Sequence, residues 1–155
     1  MVKSGFTLIE LLVTLALISL FATLALPLAE LTVKRTQEAE LRASLRQIRE
    51  AIDAYKQAAD EGRIAVRPGD SGYPGSLNML VEGVTDLRSP VQQRLYFLRR
   101  IPRDPLADHV VKAESSWGKR SYKSPYDRPR PGDDVFDVFS LSTEVGINGI
   151  PYNEW

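Results

Sequence analysis

The sequence lacks cysteine altogether and has a single histidine, His109, among its 155 residues. The absence of cysteine excludes disulfide bonds, a thiolate nucleophile and zinc sites built from thiolates. One histidine also excludes metal sites that need several imidazole ligands. The 20 basic and 20 acidic side chains leave no net charge, which argues against a protein that binds nucleic acid by neutralising phosphates. We therefore expect no nucleic-acid partner.

The apolar residues are concentrated near the N-terminus. Residues 6–31 include 19 apolar side chains and no basic one. The part before the first proline, residues 6–26, would span about 31 Å as a helix at about 1.5 Å per residue. That length matches the hydrocarbon core of a bilayer, about 30 Å. We predict a transmembrane helix over residues 6–31, kinked or locally opened at Pro27 because proline cannot donate the helical N–H bond.

A second apolar pattern continues this helix. Five apolar side chains recur at steps of four and three, which places them on one face of an α-helix. They are Leu41, Leu45, Ile48, Ile52 and Tyr55. Charged side chains are assigned to the other faces: Glu38, Glu40, Arg42, Arg46, Arg49, Glu50, Asp53 and Lys56. Gly62 is a natural helix stop. We predict an amphipathic helix over residues 32–61 that packs on a globular head formed by residues 62–155.

The head itself has short elements separated by turn residues. Ser76 is predicted to cap a short helix that ends near Gly83. Ser89 and Pro90 have the pattern of an N-cap followed by proline at the first helical position. This pattern predicts a second helix, which carries Leu95 and Leu98 and ends at Pro102.

Two strands complete the predicted head, over residues 117–124 and 135–141. The ten residues between them contain three prolines and a glycine, which indicates a long hairpin connection. The predicted fold class is therefore α+β. It consists of a long N-terminal helix and a small C-terminal head with short helices and an antiparallel β-hairpin or small sheet.

Glu10 is the most informative residue, because it is an acid inside the apolar segment. An ionised carboxylate at the centre of a bilayer costs roughly 2.5–3.5 kcal/mol on insertion scales. Cleavage between Gly5 and Phe6 would create an α-amino group four residues before Glu10. An ammonium is unfavourable at the N-terminus of its own helix, so pairing with Glu10 of a neighbouring subunit would neutralise both charges. The alternative is that Glu10 is solvated near the headgroup boundary.

The segment from Lys3 to Glu10, with the sequence KSGFTLIE, resembles the processing site of type IV pilins and of the pseudopilins of type II secretion. The resemblance implies a pilin-like fold and a leader, residues 1–5, that an inner-membrane prepilin peptidase removes. It also implies N-methylation of the new N-terminal residue, Phe6, and a role of Glu10 in subunit assembly. Pro27 lies where members of this family commonly have a helix-breaking proline.

Several segments of the head resemble the G-type, or major, pseudopilin. They are Tyr73-Pro74 with Leu77 and Leu80, residues 98–105, residues 137–140 and Trp155. The absence of cysteine favours this branch, because many type IV pilins close a C-terminal loop with a disulfide. The resemblance implies a structural subunit, not an enzyme, that is extracted from the inner membrane and polymerised to drive protein export across the outer membrane.

The implied topology is a single membrane pass with a cytoplasmic N-terminus and a periplasmic head, which becomes part of a periplasmic filament after assembly. The implied partners are further copies of the chain, other pseudopilins, the prepilin peptidase, the lipid bilayer, and an inner-membrane assembly platform with its ATPase. The alternative within the family is a type IV pilin or minor pilin that acts in adhesion, motility or DNA uptake.

Calcium is the one cofactor that the resemblance suggests. Heads of the major pseudopilin usually carry an Asp-rich, Gly-rich loop that binds calcium before the final tryptophan. Residues 142–155 contain no aspartate, whereas calcium requires six to eight oxygen ligands. Asp137, Glu144 and Asn148 are the candidates for a weaker site. The favoured alternative is a metal-free loop held by packing of Tyr152 and Trp155.

The alternative from a different class is a secreted enzyme or binding protein with an ordinary signal peptide at the N-terminus and a small-residue cleavage site near Ala25. Glu10 and the length of the apolar region argue against it.

His109, which follows Asp108, is expected in a surface loop without a nucleophile motif. Asp133 and Asp134 fit a turn better than a metal site. A solvated face is favoured for the basic cluster over contact with acidic lipid or another subunit; its members are Arg94, Arg99, Arg100 and Arg103.

Overall fold

The computed structural model describes residues 7–155, apart from the side chains of residues 24–26. The predicted cleavage point between Gly5 and Phe6 therefore lies outside the described residues. The chain divides into two compact units, one up to Thr36 and the other from Gln37 to Trp155. One helix, α1, contributes residues to both units.

Helix α1 covers Leu8–Asp60, so the long N-terminal helix predicted from the sequence is confirmed. The helix assignment continues through Pro27, and a kink at that residue stays a prediction. Gly62 stops the helix as predicted, two residues after Asp60, and its φ of 70° lies in the left-handed region that favours glycine. The N–H of Gly62 donates to Ala59 and the N–H of Arg63 donates to Ala58, both at 2.9 Å. These two bonds form a Schellman motif that satisfies the last carbonyls of the helix.

The rest of the chain forms short elements. Helix α2 covers Asn78–Glu82. Strand β1 (Val84–Thr85) pairs antiparallel with β2 (Arg94–Leu95), with Val84 opposite Leu95. Strand β3 (Trp117–Arg120) pairs antiparallel with β4 (Asp137–Ser140), with Trp117 opposite Ser140. Short 3₁₀ turns cover Ala113–Ser116 and Tyr152–Glu154. A long helix with a small head of short helices and two small antiparallel sheets is the predicted α+β, pilin-like fold.

The prediction of a helix that begins at Ser89 and Pro90 is wrong. Ser89 and Pro90 form only a turn, in which Gln92 donates its N–H to the Ser89 carbonyl at 3.1 Å. The φ of Gln92 is 52°, which is incompatible with continuing a right-handed helix. The following residues pair with β1 and extend past α2, where the Leu98 N–H donates to Leu80 at 2.9 Å. The adjacent strand supplies backbone partners that override the local helical pattern.

Two smaller predictions about the head also need correction. The residue that caps α2 is Leu77, and no side chain caps this helix, so Ser76 does not have the predicted role. The end of α2 at Gly83 is confirmed. The second hairpin is confirmed but is shorter than predicted, because backbone bonds leave the regular ladder at its loop end, next to Arg120 and Asp137. There the Val135 N–H donates to Pro74 at 2.8 Å, and the Ser121 N–H donates to Arg130 at 2.9 Å.

The apolar stripe of α1 is the centre of the core in the second unit, as predicted. Its five members, Leu41 to Tyr55, are each at most 5% exposed. Elements of the head cover this stripe with further buried side chains: Leu77, Leu80, Leu98, Trp117, Val138 and Tyr152. The indole N–H of Trp117 donates to the carbonyl of Pro102 at 2.8 Å. The polar edge of this buried ring is therefore satisfied, as burial of an indole requires.

Candidate assembly site and C-terminal loop

The start of α1 is set by Thr7. The Glu10 N–H donates to Thr7 Oγ1 at 3.3 Å, and the Leu11 N–H donates to the Thr7 carbonyl at 3.2 Å. Thr7 is therefore the N-cap, and Thr7 with Glu10 has the Thr-x-x-Glu spacing of a capping box. A carboxylate in the first turn also suits the positive end of the helix dipole. The sequence analysis missed this capping role of Thr7, although the Thr-x-x-Glu spacing is visible in the sequence.

The apolar side chains that follow in α1 are exposed in a single copy of the protein. Those at least 45% exposed are Leu8, Ile9, Leu11, Leu12, Val13, Leu15, Leu17, Ile18, Leu20, Phe21, Leu28, Leu31 and Val33. By length and composition this helix is able to cross a membrane. So large an exposed apolar surface indicates contact with lipid or with other protein chains.

The hydroxyl groups in this apolar part of α1 are satisfied within the helix. Thr14 donates to Leu11 at 2.9 Å, and Ser19 donates to Leu15 at 2.8 Å. Thr23 likewise bonds a carbonyl of the preceding turn, at 2.7 Å. Hydrocarbon offers no alternative partner for a polar group. These internal bonds therefore suit the segment to a bilayer or to an apolar filament core.

Glu10 is exposed, and within residues 7–155 no basic side chain forms an ion pair with it. The proposed partner of Glu10 is the amino group of Phe6, which lies outside the described residues, as does Gly5. Their roles in processing and the role of Glu10 in assembly stay predictions. The structure adds that Glu10 sits in the first turn, within reach of the end of the helix.

The predicted position of Glu38 on a polar face of α1 is wrong, because its side chain is buried and only 4% of the residue is exposed. Glu38 Oε1 accepts bonds from the Ile147 N–H at 2.6 Å and from the Tyr152 hydroxyl at 3.1 Å. Its other oxygen, Oε2, pairs with Arg42 at 3.5 Å. Glu38 lies three residues before Leu41, so extending the apolar stripe by one step would have placed it on the buried face.

Arg49 makes a second connection between α1 and the C-terminal part of the chain. Its Nε donates to Asp137 Oδ1 at 2.8 Å. One of its terminal nitrogens donates to the main-chain oxygens of Val138, at 3.1 Å, and of Trp155, at 2.7 Å. Arg120 pairs with the other oxygen of Asp137 at 3.4 Å. The Asp137 carboxylate therefore faces two guanidinium groups.

The three calcium candidates have separate surroundings. Asp137 is held by Arg49 and Arg120, whereas Asn148 Oδ1 accepts the Ile150 N–H at 3.1 Å in a local turn. Glu144 is exposed. In the part of the chain that the structure describes, no group of three or more His, Cys, Asp or Glu side chains is placed to hold a metal ion.

Tyr152 provides a pH-dependent test of the C-terminal contacts. Burial, together with the hydrogen-bonded carboxylate of Glu38, raises the pKa of Tyr152 to about 12. The Glu144 carboxylate acts in the same direction, and the Arg42 guanidinium opposes it. Because the unfolded chain releases this proton at about pH 10, the contribution of the neutral phenol to stability is complete below pH 10. It is lost as the pH rises from 10 to 12.

We therefore expect the free energy of unfolding to fall more steeply between pH 10 and 12 in the parent than in Tyr152→Phe. One proton released on unfolding corresponds to a difference in slope of up to about 1.4 kcal/mol per pH unit. Urea denaturation of the two full-length proteins in detergent, at a series of pH values, measures this difference. Parallel pH profiles would contradict the assignment.

The remaining sequence candidates lie apart from these contacts. Asp108 and His109 are exposed, and the Asp108 carboxylate accepts the Val110 N–H at 3.1 Å in a turn. Asp134 accepts bonds from the Ser71 hydroxyl at 2.5 Å and from the Tyr122 N–H at 2.8 Å. These bonds are those of a residue that organises a loop. In the basic cluster, Arg94, Arg99 and Arg100 are exposed, and Arg103 is partly buried.

Comparison with known families finds one match. Residues 1–26 match the family model described as the prokaryotic N-terminal methylation motif. No curated protein and no solved structure matches the chain significantly. The matched region contains Gly5, Phe6 and Glu10 and overlaps the apolar half of α1. The chain thus carries a prepilin-type methylation motif at the start of a helix suited to anchoring in the inner membrane, which supports a type IV pilin-like protein processed by prepilin peptidase.

Proposed function

We propose that this protein is a structural subunit of a type II secretion pseudopilus. The observation that carries the proposal is the methylation motif at residues 1–26, followed directly by an exposed apolar helix. The G-type resemblance of the head and the lack of cysteine favour a pseudopilin over a pilin. In this function the chain has no catalytic site, and its activity consists of polymerisation.

Assembly uses the same apolar surface twice. In the membrane, the exposed side chains of α1 contact lipid, and in the filament they contact the helices of other copies. Transfer from lipid to protein changes the apolar contacts little, so polar groups decide where each subunit joins. Glu10 and the amino group of Phe6 are the two charges available at that end of the helix. Their pairing between copies would fix the stagger of one helix against the next.

The first test is the N-terminus of the mature protein. Mass spectrometry of the chain purified from membranes should show Phe6 as the first residue, carrying one added methyl group. Substitution of Gly5 by a bulky residue should leave the five-residue leader attached. A mature N-terminus near Leu26 would instead support an ordinary signal peptide, and an intact leader in the parent protein would overturn the proposal.

The second test separates secretion from pilus functions. Deletion of the gene should leave exported proteins in the periplasm, and expression of the parent chain should restore their release. Normal secretion together with loss of adhesion, motility or DNA uptake would assign the chain to a type IV pilus. Both outcomes are compatible with the methylation motif, so this experiment decides between them.

A further inference from the structure

The C-terminal loop, residues 142–155, is closed by contacts that converge on one buried side chain of α1. Within the loop, Gly146 donates its N–H to the Ile150 carbonyl at 2.9 Å. The indole N–H of Trp155 donates to the same carbonyl at 3.3 Å. The loop then meets α1 at Glu38, which accepts the Ile147 N–H and the Tyr152 hydroxyl.

The polarity of this junction is that of an anion site. A calcium ion is held by six to eight oxygens that converge as electron-pair donors. At Glu38 the loop presents an N–H and an O–H, which are hydrogen-bond donors, toward a carboxylate supplied by the helix. At Glu38 the loop residues are therefore arranged to stabilise a negative charge by hydrogen bonding, and not to hold a cation.

The nearby acid that a metal would need is already engaged. The two oxygens of Asp137 face Arg49 and Arg120 at 2.8 and 3.4 Å. Binding calcium there would place a divalent cation next to two guanidinium groups, which is electrostatically unfavourable. The donor set at the loop thus does not fit the calcium that the G-type resemblance implies.

The contacts of Trp155 extend the junction along α1. The guanidinium of Arg42 lies 4.3 Å from the centre of the Trp155 ring, and the Tyr152 ring packs against that ring with centroids 5.0 Å apart. A Cβ at Gly146 would lie 2.7 Å from Cζ2 of the Trp155 ring. Because these approaches are close, the positions of Tyr152 and Trp155 are coupled to the charge at Glu38.

We propose that hydrogen bonds to the Glu38 carboxylate, and not a bound calcium ion, close the C-terminal loop in this protein. Glu38 is then a positioning residue: it orients Tyr152 and Trp155 on α1. The inference concerns the isolated subunit, and its test does not depend on whether the chain serves a pseudopilus or a pilus.

The test compares the parent with Glu38→Gln, using Glu40→Gln as the matched control because Glu40 is exposed on the same helix. Thermal unfolding of the full chain in detergent is followed with EDTA and with calcium at about 10 mM, above the dissociation constants of weak extracellular calcium modules. The parent Tm should be the same in both solutions. Glu38→Gln should lower Tm by about 5 °C or more in both, and Glu40→Gln should leave it unchanged.

Hydrogen exchange supplies a local readout that a general loss of stability does not give. The Ile147 amide should exchange faster in Glu38→Gln even well below Tm, whereas amides of the α1 core around Ile48 should keep their protection. If Glu38→Gln does not fold, Tyr152→Phe tests the same junction by removing one donor, and the same acceleration at Ile147 is expected. Either of two results would overturn the proposal. One is a parent Tm that rises with calcium. The other is an Ile147 amide that exchanges at the parent rate in Glu38→Gln, or in Tyr152→Phe if Glu38→Gln does not fold.

Discussion

Glu10→Gln is expected to abolish incorporation into filaments while leaving membrane insertion and leader removal intact. The substitution keeps the size of the side chain but removes the charge that would pair with the amino group of Phe6 in a neighbouring copy. Insertion should become slightly easier, because the amide is cheaper to bury in lipid than a carboxylate. Immunoblots of membrane and sheared-filament fractions, with mass spectrometry of the N-terminus, measure the two effects separately.

Glu30→Gln is the matched control, since it removes an acid from the same helix twenty residues further along. This variant should assemble at a level close to that of the parent. The decisive comparison is therefore between two equal changes of charge at different depths in α1. Filaments of Glu10→Gln at the parent level would show that the charge is not required, and the assembly role given to Glu10 would then be wrong.

Ile48→Ala is expected to destabilise the second unit by about 2–5 kcal/mol, the usual cost of truncating a buried aliphatic side chain. Ile48 lies at the middle of the stripe on α1, and the elements of the head bury it fully. Small domains have total stabilities of about 5–15 kcal/mol, so this loss is a large share of the whole. Urea denaturation of the full chain in detergent, followed by circular dichroism, measures it.

Arg46→Ala, on an exposed face of the same helix, is the control for this prediction. Alanine is a better helix former than arginine by only a small margin, so the midpoint should hardly move. A change of less than about 0.5 kcal/mol is typical of surface substitutions. Equal effects of the two variants would mean that the stripe does not form the core of the unit.

The sequence was most informative where a pattern repeats over many residues. The apolar run before Pro27 and the stripe from Leu41 to Tyr55 each extend over at least 15 positions, and both patterns predict a helix. The stop at Gly62 was also predictable, because few residues other than glycine tolerate a positive φ at a helix end. These features determine the position of α1 in the sequence and the face that it buries.

The parts that were missed depend on contacts between distant residues. Arg94 and Leu95 form a strand only because Val84 and Thr85 lie beside them, and no local pattern reveals that partner. Glu38 looked like one more surface charge, since its two donors lie more than a hundred positions away in the chain. Its burial is apparent from the sequence only when the stripe is extended back by one step.

The two tryptophans lie in different surroundings, one in the core and one in the C-terminal loop, so their fluorescence reports on different parts of the protein. Trp117 is 3% exposed in the core with its indole N–H bonded, so its emission reports on collapse of the whole unit. Trp155 packs against Arg42 and Tyr152 at the end of the loop, where the nearby guanidinium and solvent determine its emission wavelength. With a phenylalanine at one site or the other, fluorescence can follow the opening of the loop separately from global unfolding.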